Sequence, residues 1–248
     1  MAMINEQTIE KMRKMKMNHL AQILMDLSQN EAIRSLTFEE KVGLLIDTEW
    51  DYRQNNRVSR LIREAGLIDI AACIEGINYR DGRNINREQI YKLSTCDYIR
   101  AHQDILILGT TGTGKSYLSC ALGNAACRNR ITTRYISLVD MFDELALAAE
   151  VGALSKAIDS FIKPSLLILD DCFLTRPSTE DAERLLKLVE KRMHVGSTIY
   201  CSQLQPKDWH ERISEKIVAD AICDRIVHRC HVINLEGESM RKSLKVGF

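Results

Sequence analysis

An α/β fold is what this 248-residue sequence predicts: a five-stranded parallel sheet between helices, preceded by a small all-helical N-terminal domain. Three observations predict it. From Asp104 onward, short apolar runs alternate with helix-length stretches, the pattern of parallel strands joined by crossover helices. Before Asp104, apolar residues recur at three- and four-residue steps, with no strand signal of comparable strength. At the end of the first strand lies a glycine-rich loop, "GTTGTGKS" at 109–116, followed at once by a helical stretch.

In chain order, Ile9, Met12, Leu20, Ile23, Leu24 and Leu27 carry the first helical rhythm, and Leu44, Leu45 and Tyr52 carry the next. Thr37 stands three residues before Glu40, a capping box that opens a helix. Asp81-Gly82 breaks the pattern and Asn86 restarts it. The layout is therefore a helical domain over 1–80, a lead-in over 81–103 and a sheet-bearing domain over 104–248. The five strand candidates are "DILIL", "TTRYIS", "LLILD", "STIYCS" and "CHVINL". One crossover is explicit: Ser178 caps a helix with Asp181, and Leu185, Leu188 and Val189 form its buried stripe. Trp50 and Trp209 read as core or staple residues.

Composition narrows the classes. The 34 basic and 34 acidic side chains balance to a formal net charge of +0, so any attraction to nucleic acid or membrane must be local. Eight cysteines occur without a CxxC pair, several in apolar stretches where a thiol behaves as a small hydrophobe, which suits a reducing cytosol. The charged N-terminus lacks the apolar core of a signal peptide, and no run approaches the roughly 18 apolar residues of a membrane span. His228, Cys230 and His231 match no common zinc spacing.

Strand, Gly109, four residues, Gly114-Lys115-Ser116 and then helix make up the full Walker A pattern in the context that gives it meaning. Glycines 109, 112 and 114 free the backbone so that successive amides can face a phosphate, and the helix N-terminus adds its positive end. Gly109, Thr110, Thr111, Gly112, Thr113, Gly114, Lys115, Ser116 and Tyr117 are thus expected to cradle ATP. Lys115 would reach the β- and γ-phosphates, and Ser116 would ligate Mg²⁺. "LLILDD" at 166–171 supplies the Walker B half, with Asp170 as the second Mg²⁺ group and Asp171 as the base that orients water. ATP hydrolysis follows as the expected reaction. A small-molecule kinase would need an arginine-bearing lid, for which the chain offers no segment.

After these motifs come "CSQ" at 201–203, the "PKDW" segment, "DAICDRIVH" and "LEGESMRK". Together with the N-terminal "EWDYRQNNR", they resemble the AAA+ ATPases, and within them the IstB-like and DnaC-like group, along nearly the whole chain. The likeness is greatest to the IstB-like ATP-binding helpers of insertion-sequence transposition. It implies a P-loop AAA+ domain in which Gln203 takes the sensor-1 place, Arg225 the arginine finger given to a neighbouring subunit, and Arg241 the sensor-2 place. From the residues alone, Arg225 also fits a surface ion pair with Asp224. Asp171 stands where AAA+ proteins commonly carry Glu, which favours slow hydrolysis. Residues 236–248 leave the C-terminal lid reduced or absent.

Arg53, Arg57, Arg60 and Arg63 recur at helical spacing with no acid between them, a stripe that fits DNA phosphates as well as a solvated face. Lys11, Arg13, Lys14 and Lys16 form a second basic cluster. No base-reading helix is recognisable, so contacts to duplex DNA are expected to be largely sequence-independent. The resemblance implies ATP-dependent homo-oligomers on DNA, a cognate transposase as partner and a cytoplasmic, nucleoid-associated location. A DnaC-like helicase loader and an ATP-sensing adaptor with little hydrolysis are the alternatives.

Overall fold

The computed structural model describes residues 6–29, 35–79 and 82–240. Two compact units divide between Ser59 and Arg60. The first holds helices α1 (Glu6–Lys14) and α2 (Asn18–Gln29) and most of α3 (Phe38–Ala65). The capping box forms as expected: the Thr37 amide donates to Glu40 Oε2 at 2.7 Å, and the Glu40 amide to Thr37 Oγ1 at 3.2 Å. His19 lies on Tyr52 with ring centroids 4.0 Å apart. Trp50 is not a core residue, being 59% exposed: α3 turns Phe38, Ile46 and Trp50 to solvent, and among the described residues the unit's other helices, α1 and α2, leave that face uncovered.

The second unit is built on β1 (Asp104–Gly109), β2 (Thr133–Ser137), β3 (Leu166–Asp170), β4 (Ser197–Ser202) and β5 (Cys230–Leu235). They form one sheet in the order β2-β3-β4-β1-β5, every neighbouring pair parallel. The three inner strands are buried on both faces, which is why they read as continuous apolar runs. Successive residues serve opposite layers: Ile105, Ile107 and Ile168 pack with helix α6 (Lys115–Arg128), while Leu106, Leu108 and Leu169 pack with α7 (Leu138–Glu150), α8 (Leu154–Ile162), α9 (Thr179–Arg192), α10 (Pro206–Trp209) and α11 (Lys216–Val227). Ser178 caps α9 through the Asp181 amide at 3.2 Å, and Leu185, Leu188 and Val189 are buried as expected.

Residues 60–80, grouped from sequence with the N-terminal helices, supply Leu61, Ala65, Leu67, Ala72 and Ile77 to this second core. The lead-in contributes helix α4 (Arg87–Ser94), capped by Asn86, which accepts from the Gln89 amide at 3.1 Å, and the short α5 (Asp97–Arg100).

A buried polar hub closes the far end of the sheet. Arg192, 2% exposed, donates to Thr198 Oγ1 (2.9 Å) and to the carbonyls of Phe161 (2.8 Å), Ile162 (3.1 Å), Pro164 (2.9 Å) and Ser197 (2.5 Å). Asp104 Oδ1 accepts from the Thr198 amide at 2.6 Å. Burial pushes the Asp104 carboxyl up to about 6, against the pull of that amide and of Arg192 and Arg229. All eight cysteines are free; six are buried, and Cys73 and Cys230 are half-buried. Burial raises the Cys96 and Cys223 thiols to about 11.

Candidate functional site

The C-terminal ends of β1, β3, β4 and β5 meet on one side of the sheet, where ligands of open α/β folds bind. Gly109 ends β1 and lets the loop turn against β5: a β-carbon there would stand 2.6 Å from the Leu235 carbonyl and 2.7 Å from Thr113 Oγ1. Gly112 has φ +84° and Gly114 φ +95°, the left-handed region that glycine enters without strain. Thr113, buried, donates through Oγ1 to the Thr110 carbonyl at 2.8 Å and pins the loop's shape. Helix α6 then begins at Lys115, and its N-terminus faces the cavity.

Lys115 is 6% exposed, and its ammonium donates to the carbonyls of Gly109 (2.8 Å) and Thr110 (3.1 Å). Thr111 Oγ1 donates to Gln203 Oε1 at 2.7 Å, so the turn after β4 is joined to the loop. Trp209 holds that turn from behind. It is fully buried as expected, donates to Ser202 Oγ and the Leu204 carbonyl at 3.3 and 3.2 Å, and stacks on Phe173 at 4.7 Å.

Asp170, 2% exposed at the end of β3, accepts twice: from the Asp171 amide on Oδ1 at 2.8 Å and from the Tyr135 hydroxyl on Oδ2 at 2.5 Å. Burial, then Asp170 itself, push the Tyr135 hydroxyl pKa up, so it remains a donor. Asp171 and Phe173 both take positive φ, +51° and +59°, an uncommon state for residues with side chains that concentrates at functional turns. A cavity of about 480 Å³ brings Thr111, Gly112, Gly114, Lys115, Ser116 and Tyr117 together with Asp171 and Gln203. Ile68, Ile77, Ile85 and Leu235 form its apolar wall. Residues 236–240 follow β5 and, among the described residues, add no lid domain; they strap the loop, with the Met240 amide on the Gly112 carbonyl at 2.9 Å.

Ser116 and the Asp170 carboxylate are hard oxygen donors, and Asp170 is already held in one orientation, so the donor set fits Mg²⁺.

Other expected residues lie elsewhere. Arg225 is not among the cavity's lining residues. Its partner is Glu190 at 2.7 Å rather than Asp224, which faces His228 at 3.0 Å. His231 bonds Gln103 at 2.9 Å, so the two histidines point to different partners. Arg53 and Arg60 are partly neutralised by acids flanking the stripe, Glu49 at 2.7 Å and Glu64 at 3.8 Å, while Arg57 and Arg63 are exposed. In the second basic cluster Lys14 pairs with Glu10 at 3.0 Å. Arg241 lies outside the described residues. No helix among the described residues is long and apolar enough to cross a membrane.

Two residues of the site escaped the sequence. Tyr135 was hidden because its role depends on the pairing of β2 with β3, and Arg83 because "DGRNIN" reads as a bare turn. Arg83 donates to the Thr113 carbonyl inside the cavity.

A sequence profile described as "IstB-like ATP binding protein" matches residues 10–246. An insertion-sequence ATP-binding protein of Sinorhizobium fredii is 36% identical over 241 residues, 97% of this chain and 98% of that one. Among solved structures, DnaI superposes with a TM-score of 0.57 at 20% identity, covering 68% of this chain and 90% of that one. The DnaC helicase loader gives 0.54 at 15%, covering 66% and 97%. These structural likenesses carry the fold, the P-loop AAA+ arrangement expected from the sequence.

Proposed function

The chain belongs to the IstB-like ATP-binding proteins, and from that premise we propose that it is an ATPase that assembles on duplex DNA and serves a partner transposase as helper. One observation carries the enzymatic half: loop 109–116, Asp171 and Gln203 converge on a single cavity at the strand ends, with Asp170 held beside them.

In this reading, amides of the loop and the N-terminus of α6 bind the phosphates. Lys115 exchanges the Gly109 and Thr110 carbonyls for β- and γ-phosphate oxygens. Ser116 and Asp170 would hold Mg²⁺, which would supply charge neutralisation for the transferred phosphoryl group. Asp171 orients the attacking water, and its short side chain makes the reaction slow. Gln203, steadied by Thr111, contacts the γ-phosphate side. Arg225 leaves Glu190 and acts on the ATP of a neighbouring subunit, so hydrolysis depends on assembly.

The DNA contacts are assigned to the arginine stripe of α3 and are sequence-independent, which makes binding fall steeply with salt. The N-terminal helices over 1–80 contact DNA, transposase or both, and the protein works in the cytosol on the nucleoid.

The test is fluorescence anisotropy of labelled duplex and single-stranded DNA with ATP, with ADP and with no nucleotide. Steep, ATP-dependent, duplex-preferring binding is expected, and Lys115→Ala abolishes it. Preference for single strands would replace the reading with helicase loading. DNA-stimulated phosphate release separates the ATPase from an adaptor that only senses ATP: an inert protein sinks the hydrolytic half.

A further inference from the structure

Arg83 is rooted firmly for a residue in an irregular segment. Its carbonyl accepts from the Glu236 amide at 3.2 Å, Asn84 Nδ2 donates to Glu236 Oε1 at 3.2 Å, and Gln89 Nε2 donates to the Val232 carbonyl at 3.2 Å. The segment is thus laced to the end of β5. From this root the guanidinium enters the cavity, where Nη2 donates to the Thr113 carbonyl and Nη1 approaches Met240 Sδ at 3.1 Å. Nη2 stands 3.1 Å from where a β-carbon on Gly114 would be, beside the residue that opens α6.

No carboxylate among the described residues pairs with Arg83; a carbonyl and a thioether supply no countercharge. Burial lowers the guanidinium pKa from its ordinary value, and arginine stays charged in proteins. A planar cation with five donors matches a phosphate group better than it matches one carbonyl. The same cavity holds Lys115, Ser116 and the α6 N-terminus, which select phosphate.

Resting on the ATP-site reading above, we propose that Arg83 is a nucleotide-binding residue whose guanidinium leaves Met240 and closes on the phosphate groups of bound ATP. It brings a second cation to the site besides Lys115, from the segment that precedes β1. Because that segment is tied to residue 236, the contact also couples the strap over the loop to nucleotide binding.

The test compares wild type, Arg83→Ala and Arg83→Lys for binding of a fluorescent ATP analogue, with ADP and adenosine as competitors. The expected result is an affinity for ATP and ADP about tenfold or more weaker in Arg83→Ala, with partial recovery in Arg83→Lys and adenosine affinity unchanged. Equal ATP affinity in wild type and Arg83→Ala overturns the proposal. So does a loss shared equally by ATP and adenosine, which assigns Arg83 to loop packing. If Arg83→Ala does not fold, Arg83→Gln keeps a donor for the Thr113 carbonyl without the charge, and the same comparison decides. Failure of the wild type to bind ATP sinks the ATP-site reading itself, a result distinct from a bound wild type with an indifferent variant.

Discussion

Replacing Tyr135 by Phe removes one hydroxyl and keeps the ring, so it isolates the bond that orients Asp170. That bond is 2.5 Å long, and its acceptor is 2% exposed, so water does not take the hydroxyl's place. A charge-assisted hydrogen bond in such a setting contributes roughly 1.5–3 kcal/mol. At about 1.4 kcal/mol per decade, the Mg²⁺ concentration for half-maximal ATP turnover should rise about 10- to 100-fold. Two assays check it: a Mg²⁺ titration of phosphate release, and urea denaturation without nucleotide, where stability should fall by roughly the same 1.5–3 kcal/mol. A Mg²⁺ midpoint within about twofold of wild type, in a protein that has lost the stability, would refute the reasoning. The hydroxyl would then support the fold and not the carboxylate's orientation.

Asp104 gives a pH test. Its folded pKa of about 6 exceeds the ordinary 3.8, so the native state holds the proton more tightly, and its contribution is full below about pH 4 and lost as pH rises through 6. Asp104→Asn should gain on wild type by up to about 3 kcal/mol between pH 4 and pH 7 in denaturant melts; a constant difference would contradict the assignment. Arg192→Leu strands five acceptors in the interior and should cost about 3–5 kcal/mol in the same melts, whereas a loss under about 1 kcal/mol would deny the hub its role. Gly112→Ala puts a β-carbon into Ser239 at φ +84°, so ATP binding should weaken about tenfold or more while the sheet stays folded by circular dichroism. For Arg225, Glu190→Ala should free the guanidinium and leave DNA-stimulated turnover intact, while Arg225→Ala abolishes it; equal losses would mean that only the ion pair matters.

Much of this was legible from residues that act locally. Buried strands announce themselves as "DILIL" and "LLILD" because both faces are covered, and the caps at Thr37 and Ser178 need only four residues to declare themselves. Loop 109–116 is equally local: its glycines are required by its own turn and by Leu235 against Gly109. What stayed hidden depends on partners distant in sequence. Glu190 meets Arg225 because α9 packs on α11, Tyr135 meets Asp170 because β2 lies beside β3, and Arg83 reaches Thr113 because residues 82–86 run beside the end of β5. Trp50 illustrates the opposite failure. A helical apolar rhythm predicts a buried stripe only when neighbours exist to cover it, and among the described residues none covers the Trp50 face of α3.

The free cysteines give the molecule an internal clock. A thiol that is out of solvent reacts with an alkylating reagent only while its surroundings open, so its labelling rate measures the local opening free energy. Cys120 and Cys127 ride on α6, the helix that loop 109–116 leads into, while Cys223 rides on α11, the helix that carries Arg225. Nucleotide-dependent stiffening and subunit contact would therefore be timed separately, at native residues and with no engineered label, from one alkylation series resolved by mass.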